Sequence, residues 1–103
     1  MLLTLVNKQG VHAIAEYDPT TKTTIVKKGS TVSPSVRTNG KFHSANAIIK
    51  LRELHCKDSK TIEDVVFRSA STAANFVTGQ STNGLIAWKD EDGHSLKEIL
   101  LSE

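Results

Sequence analysis

The sequence predicts an α+β fold, in which an antiparallel sheet packs against two or three helices. Three observations favour this fold class. Apolar and polar residues alternate over residues 11–17, as in a half-buried strand. Residues 44–56 carry apolar side chains at helical spacing, and a shorter helical stretch ends at Gly79. Since 103 residues suffice for one core but not two, we predict a single domain over residues 1–103.

The N-terminal third predicts a three-stranded antiparallel meander. Residues 2–6 and the alternating stretch 11–17 are joined by a polar turn over residues 7–10. Residues 18–22 carry turn-forming Asp, Pro and Thr, and the β-branched residues of 23–27 predict the return strand. Such a meander has one apolar face that requires a cover.

The helix predicted over residues 44–56 is the expected cover of this sheet. Ala45, Ile48 and Ile49 share one helical stripe, and Leu51 widens its apolar side. Ser44 precedes the helix and is the natural residue to cap it. The loop before it, residues 29–42, is rich in Gly, Ser, Thr and Pro.

The C-terminal half predicts shorter elements. A short strand is expected over residues 64–67, followed by a helix over residues 70–78 that Ser69 or Ser71 caps. Asn83 and Gly84 form a tight-turn pair before residues 85–88, in the region where further short strands are expected. Ser95 and Glu98 match a capping box for a final helical segment. The predicted core comprises Ile48, Leu51, Phe76, Val77 and Trp88.

The charge is unevenly distributed along the chain. The net charge is +2, but residues 1–60 hold 10 Lys and Arg against 4 Asp and Glu, whereas residues 61–103 hold 3 against 7. This asymmetry permits a basic face that meets phosphates, although a solvated surface has the same composition. The candidate basic residues are Lys22, Lys27, Lys28, Arg37, Lys41, Lys50 and Arg52.

The sequence lacks the residue patterns of common catalytic sites. The four histidines share no spacing, the single cysteine (Cys56) excludes a paired thiol site, and the acidic turn over residues 90–93 fails as a calcium loop. Gly40 and Lys41 lack the rest of a phosphate-binding loop. We therefore expect no enzymatic activity, no metal and no cofactor.

A polar turn after the second helix is the candidate recognition element. Gln80, Ser81 and Asn83 offer donors and acceptors suited to a base edge or a phosphate. The same residues also suit an ordinary structural turn. With the basic residues Lys27, Lys28, Arg37 and Lys41, they make up the predicted nucleic-acid-binding site.

Residues 69–96 contain a set of small, polar and aromatic residues at the spacing of a known family. These residues are Ser69, Ser71, Ala73, Ala74, Val77, Gly79, Ser81, Asn83, Gly84, Trp88, Gly93 and Leu96. A looser match upstream includes Gly29, Ser30, Leu51 and Arg52. In these residues the chain resembles a bacterial domain-of-unknown-function family found at the C-termini of GIY-YIG nucleases and restriction-modification enzymes, and more distantly the restriction enzyme adenine methylase-associated domains.

The resemblance implies a setting rather than a mechanism. Ala70, Gln80 and Leu85 replace the family's usual proline, basic residue and tryptophan, and the lost basic residue weakens phosphate contact at the turn. What it implies is an accessory, DNA-associated recognition module that reads DNA or modified DNA beside a nuclease or methyltransferase partner. The alternative is a protein-interaction or structural subunit that binds no nucleic acid.

The location is expected to be cytoplasmic. The apolar run of residues 1–6 is too short for a secretory signal, and no segment reaches the ~20 apolar residues of a membrane span. We therefore expect no association with a membrane. A lone cysteine is typical of a reducing compartment.

Overall fold

The α+β fold class is confirmed by the computed structural model, which describes residues 1–38 and 42–102. One four-stranded antiparallel sheet lies beside a two-stranded hairpin and four helices. In chain order the elements are β1 Leu2–Val6, β2 His12–Tyr17, β3 Thr24–Val26, α1 Ala45–His55, β4 Cys56–Lys57, β5 Lys60–Thr61, β6 Val65–Phe67, α2 Ala70–Thr78, α3 Gly84–Ala87 and α4 Leu96–Leu101.

The predicted meander forms, and it is extended by a fourth strand. The strand order is β1-β2-β3-β6, so β6 pairs with β3 and follows a long connection through α1 and the hairpin. Leu3 lies opposite Ala15 in the β1–β2 register, and Ala15 lies opposite Val26 in the next pair. All three side chains are fully buried, as the alternation predicts.

The helices cover one face of the sheet. Phe76, Val77 and Trp88 are completely buried and Ile48 is 2% exposed, which confirms those core predictions. Leu51 is half-buried and packs on the rim of the core. The opposite face, here called the outer face, carries exposed side chains at Leu2, Val6, His12, Ile14, Glu16 and Val66.

Two local predictions differ from the structure. Ser44 occupies the N-cap position of α1, but its side chain makes no capping hydrogen bond. Residues 84–87 form the short helix α3 rather than an extended segment, because the Asn83 carboxamide accepts from the Leu85 N–H at 3.0 Å and caps a helical turn. Beyond α3, Lys89 reaches the sheet edge, where its backbone exchanges two hydrogen bonds with Thr4.

The β4–β5 hairpin lies between α1 and β6, in a stretch where the sequence predicts no strand. Its two connecting residues, Asp58 and Ser59, both have positive φ values, 53° and 63°. This conformation is that of a tight two-residue hairpin turn. Thr31 joins the hairpin to the main sheet, since its backbone bridges His12 on one side and Lys60 on the other.

Candidate nucleic-acid interface

Helix α2 has the ends that the sequence predicts. The Ser69 hydroxyl accepts from the Thr72 N–H at 3.1 Å, so Ser69 rather than Ser71 is the cap. Gly79 ends the helix with φ 72°, and a Cβ there would overlap the Ser35 carbonyl oxygen. A glycine is thus required at this position both by its backbone conformation and by the approach of the loop at Ser35.

The polar turn after α2 is held by its own side chains. The Thr82 N–H donates to Asn75 Oδ1 at 2.8 Å, and the Thr78 and Thr82 hydroxyls lie 2.7 Å apart. Asn83 caps α3, so its carboxamide oxygen is engaged. Ser81 is exposed, while Gln80 is half-buried. Of the three predicted base-reading residues in the turn, Asn83 therefore has a structural role in the fold.

The remaining residues of this segment hold α2 and α3 together. Trp88 Nε1 donates to the Ala70 carbonyl at 2.9 Å, and the Gly84 N–H donates to the Ser71 hydroxyl at 3.0 Å. A side chain at Gly84 would overlap the backbone of Ala70. Close helix packing therefore explains the small residues of this segment.

Arg37 and Gln80 are brought together. The Arg37 N–H donates to the Gly79 carbonyl at 2.7 Å, which fixes the loop after Ser35 beside the end of α2. Arg37, Gln80 and Gln9 line one polar surface cleft of about 160 Å³. Gln9 belongs to the turn between β1 and β2, so the cleft lies at that end of the sheet. The sequence predicts Arg37 and Gln80 as binding residues but not Gln9.

Lys27 and Lys28 lie elsewhere. Lys27 Nζ is 3.0 Å from Asp64 Oδ2, and the Lys28 N–H donates to Asp64 Oδ1 at 2.8 Å. These hydrogen bonds, the one from Lys28 first, lower the pKa of the Asp64 carboxyl. The two lysines lie at the β3–β6 side of the sheet, whereas Gln80 lines a groove along β1. Lys41 lies outside the described residues.

Arg52 does not contribute to a basic surface. Its guanidinium donates to the carbonyl oxygens of Phe76 at 2.9 Å, Ser33 at 2.7 Å and Val77 at 3.2 Å. Burial lowers the pKa of this group. Arg52 therefore ties α1 to the end of α2, and the contiguous basic face expected from the sequence does not include it.

The aromatic side chains are all in the core. The chain has five, and each is at most 6% exposed: Tyr17, Phe42, Phe67, Phe76 and Trp88. Bases of single-stranded nucleic acids stack on exposed aromatic rings. None of the five can serve as such a platform in this conformation.

The family model for a domain of unknown function, DUF4357, matches residues 5–100, which is nearly the whole chain. The chain belongs to the DUF4357 family. Comparison with curated proteins and with solved structures yields no match for it. Within the described residues of this DUF4357 domain, no helix is long and apolar enough to cross a membrane.

A second groove of the DUF4357 domain lies along β1. It has a volume of about 610 Å³, and its lining includes Gln80, Asp90 and Glu91. Carboxylates at its rim oppose the approach of phosphates. A backbone hydrogen bond from His94, ahead of one from Asp92, keeps the Asp90 pKa low. The side-chain atoms of Asp90, Asp92 and His94 that are able to ligate a metal ion all lie within 4.8 Å of one another on this surface turn.

Sequence reasoning missed two cations of the DUF4357 domain. Lys57 and Lys60 face each other across the β4–β5 hairpin and are exposed. The signal that could have found them is their spacing, since two polar residues between them fit a two-residue hairpin turn. Gln9 was missed because only the folded chain places the β1–β2 turn beside Gln80.

Proposed function

We propose that this DUF4357 domain is a non-catalytic module that binds duplex DNA, with the cleft of Arg37, Gln80 and Gln9 facing the groove. The grouping of these three residues around one cleft carries the proposal. A Gln carboxamide can pair with the N6 and N7 edge of adenine, and an Arg guanidinium with guanine or with a phosphate. Few side-chain types read base edges, and residues of two such types line this cleft.

Duplex rather than single-stranded DNA is the proposed ligand. Because every aromatic ring is buried, contact must rest on hydrogen bonds and charge rather than on base stacking. The resemblance of residues 69–96 to domains of nucleases and restriction-modification enzymes supports a role beside a catalytic partner. Under this proposal the domain supplies recognition, and the partner nuclease or methyltransferase performs the reaction.

The test is a titration of the purified domain against labelled duplexes. Unmodified, adenine-methylated and cytosine-modified duplexes are compared at two salt concentrations by fluorescence anisotropy. We expect a dissociation constant of ~10⁻⁴ to 10⁻⁶ M for non-specific binding, weakening as salt rises because counterions are released. Arg37→Gln should weaken binding to every duplex, whereas Gln80→Ala should reduce differences between duplexes.

The matched control is Lys22→Gln. Lys22 lies in the β2–β3 turn, at the opposite end of the sheet from the cleft, and the substitution removes the same charge as Arg37→Gln. Equal weakening by both variants would mean that only net charge matters. Failure of every duplex to bind at low salt would overturn the proposal.

The outer face favours a second candidate, a protein-interaction module. Leu2 is 60% exposed, Val6 67% and Val66 64%, and Leu2 and Val66 lie at corresponding heights on the two edges of the sheet. Exposed apolar side chains on one face are typical of a contact surface. Sedimentation velocity tests this candidate for self-association: a concentration-dependent complex that Val66→Thr abolishes would support it.

A further inference from the structure

The β4–β5 hairpin sets two lysines directly against each other. Lys57 and Lys60 are paired residues flanking a two-residue turn, so their side chains leave the same side of the hairpin. Paired Cα atoms of this kind lie ~5.5 Å apart. Both side chains are exposed, and neither forms an ion pair with another residue of the described ranges 1–38 and 42–102.

This arrangement is unfavourable to the isolated hairpin in two ways. Like charges directly opposite each other destabilise a strand pair. The turn also holds Ser59 at φ 63°, a left-handed conformation that costs a residue with a Cβ free energy. Asp58, in the same turn, is the nearest acidic residue in sequence, but it is exposed and forms no ion pair with either lysine. A bound anion between the two ammonium groups would remove the repulsion.

The hairpin lysines continue into a polar row of the sheet. Lys60 lies beside Thr31, and Thr31 lies beside His12 in the same ladder, so these side chains share a face. Lys28 is also near, since the next residue, Gly29, donates its N–H to the Thr61 carbonyl at 2.9 Å. Here the "basic row" denotes Lys57, Lys60, Thr31 and His12.

The basic row and the Arg37 cleft lie at the same end of the sheet. His12 begins β2 directly after the β1–β2 turn, and that turn supplies Gln9 to the cleft. Thr31 is followed within a few residues by the loop that carries Arg37. The row shares the outer face with His12, whereas the cleft lies at the end of α2 on the helix-covered side, so a ligand that contacts both must pass around this end of the sheet.

We propose that the β4–β5 hairpin is a phosphate-binding site, in which Lys57 and Lys60 hold one phosphate and the Thr31 hydroxyl lies beside it. The assignment of that phosphate to the backbone of duplex DNA rests on the proposed function. In that complex the basic row contacts the backbone while the Arg37 cleft contacts the groove. The hairpin supplies affinity without sequence preference, since phosphate contacts carry no sequence information.

The first experiment measures duplex affinity against salt for the intact chain and for Lys57→Gln/Lys60→Gln. The double variant loses the one phosphate contact that the two lysines share, so the slope of log affinity against log salt should fall by ~0.9. Gln80→Ala should leave the slope unchanged. Lys22→Gln, at the other end of the sheet, is the control for the single variants Lys57→Gln and Lys60→Gln, each of which also removes one charge. An unaltered slope in the double variant, with affinity retained, overturns the hairpin site but leaves DNA binding intact.

The second experiment separates the hairpin site from the DNA proposal. The midpoint of thermal unfolding of the intact chain is measured in sulfate-free buffer with and without tripolyphosphate. Binding to duplex RNA and to phosphatidylserine vesicles is measured in parallel. A rise in midpoint with tripolyphosphate that the double variant lacks supports the phosphate site even if no duplex DNA binds. In that case the RNA and vesicle arms identify the source of the phosphate. No midpoint shift, together with no loss of duplex binding in the double variant, overturns the site.

Discussion

Two regions of this domain use their polar groups in opposite ways. In residues 69–93, Trp88 Nε1, the Ser71 hydroxyl and the Asn75 carboxamide are all engaged by backbone groups of the same segment. In the β4–β5 hairpin, Lys57 and Lys60 face solvent as a like-charged pair. Most of the segment that carries the family resemblance is therefore explained by packing. Of the proposed ligand contacts, Gln80 lies within it, and Gln9, Arg37, Lys57 and Lys60 lie outside it.

In the first region, residues 69–93, the largest loss of stability is expected from a substitution at Trp88. Trp88→Ala removes a completely buried ring and should lower the free energy of unfolding by ~3–5 kcal/mol through lost contacts and a cavity. Chemical denaturation measures this loss. Trp88→Phe is the control, since it keeps an aromatic ring but removes the hydrogen bond to Ala70, and it should cost less. A variant Trp88→Ala as stable as the natural chain would contradict the packing role.

Gly84 tests whether α2 and α3 need close contact. A methyl group there would overlap the Ala70 backbone, so Gly84→Ala should cost ~1–3 kcal/mol as the two helices separate. Gly10→Ala is the comparison, because a Cβ at Gly10 meets no atom within 4 Å and the cost there is only that of φ 88°. If the two variants lose the same stability in denaturation, helix approach is not the reason for Gly84.

Arg52 separates a structural cation from a binding one. Arg52→Lys keeps the charge but cannot reach the carbonyls of Ser33, Phe76 and Val77 together, and it should cost ~1.5–3 kcal/mol. The affinity of the folded variant for duplex DNA should be unchanged. Weaker DNA binding at unchanged stability would return Arg52 to the basic surface.

A substitution in the β4–β5 hairpin should not destabilise the protein, in contrast to the substitutions at Trp88, Gly84 and Arg52. Lys60→Gln removes the like-charge pair, so the free energy of unfolding should stay constant or rise by ~0.2–1 kcal/mol at low salt. Lys22→Gln should change it by less than ~0.5 kcal/mol. A clear loss of stability in Lys60→Gln would show that the lysine serves packing, and the contrast between the two regions would fail.

Asp64 gives the smallest expected effect, at acid pH. Folding lowers its pKa, so its contacts stabilise the protein above the ordinary value of 3.8, and this contribution is lost as pH falls through the folded value. Asp64→Asn should therefore flatten the decline of stability below about pH 4. Urea denaturation from pH 6 to 3 measures the slope in both chains. Identical slopes would mean that the hydrogen bonds from Lys27 and Lys28 do not persist in solution.

The sequence by itself determined the elements whose signals are local. Alternation over residues 11–17 predicts a strand because successive side chains point to opposite faces, and β2 follows it. Ser69, Gly79 and the Ser95–Glu98 capping box mark helix ends through hydrogen bonds within a few residues. These features need no distant partner, and for that reason they could be predicted.

Only the tertiary structure decided which polar side chains remain available. A lysine or arginine is visible in the sequence, but its partner is not: Asp64 is 37 residues from Lys27, and the carbonyls bound by Arg52 belong to α2 and the loop at Ser33. Arg37 is held beside Gln80 by a backbone hydrogen bond to Gly79, which is distant in sequence from Arg37. The Lys57–Lys60 pair is formed by a left-handed turn at Asp58 and Ser59, a conformation that closes a two-residue hairpin.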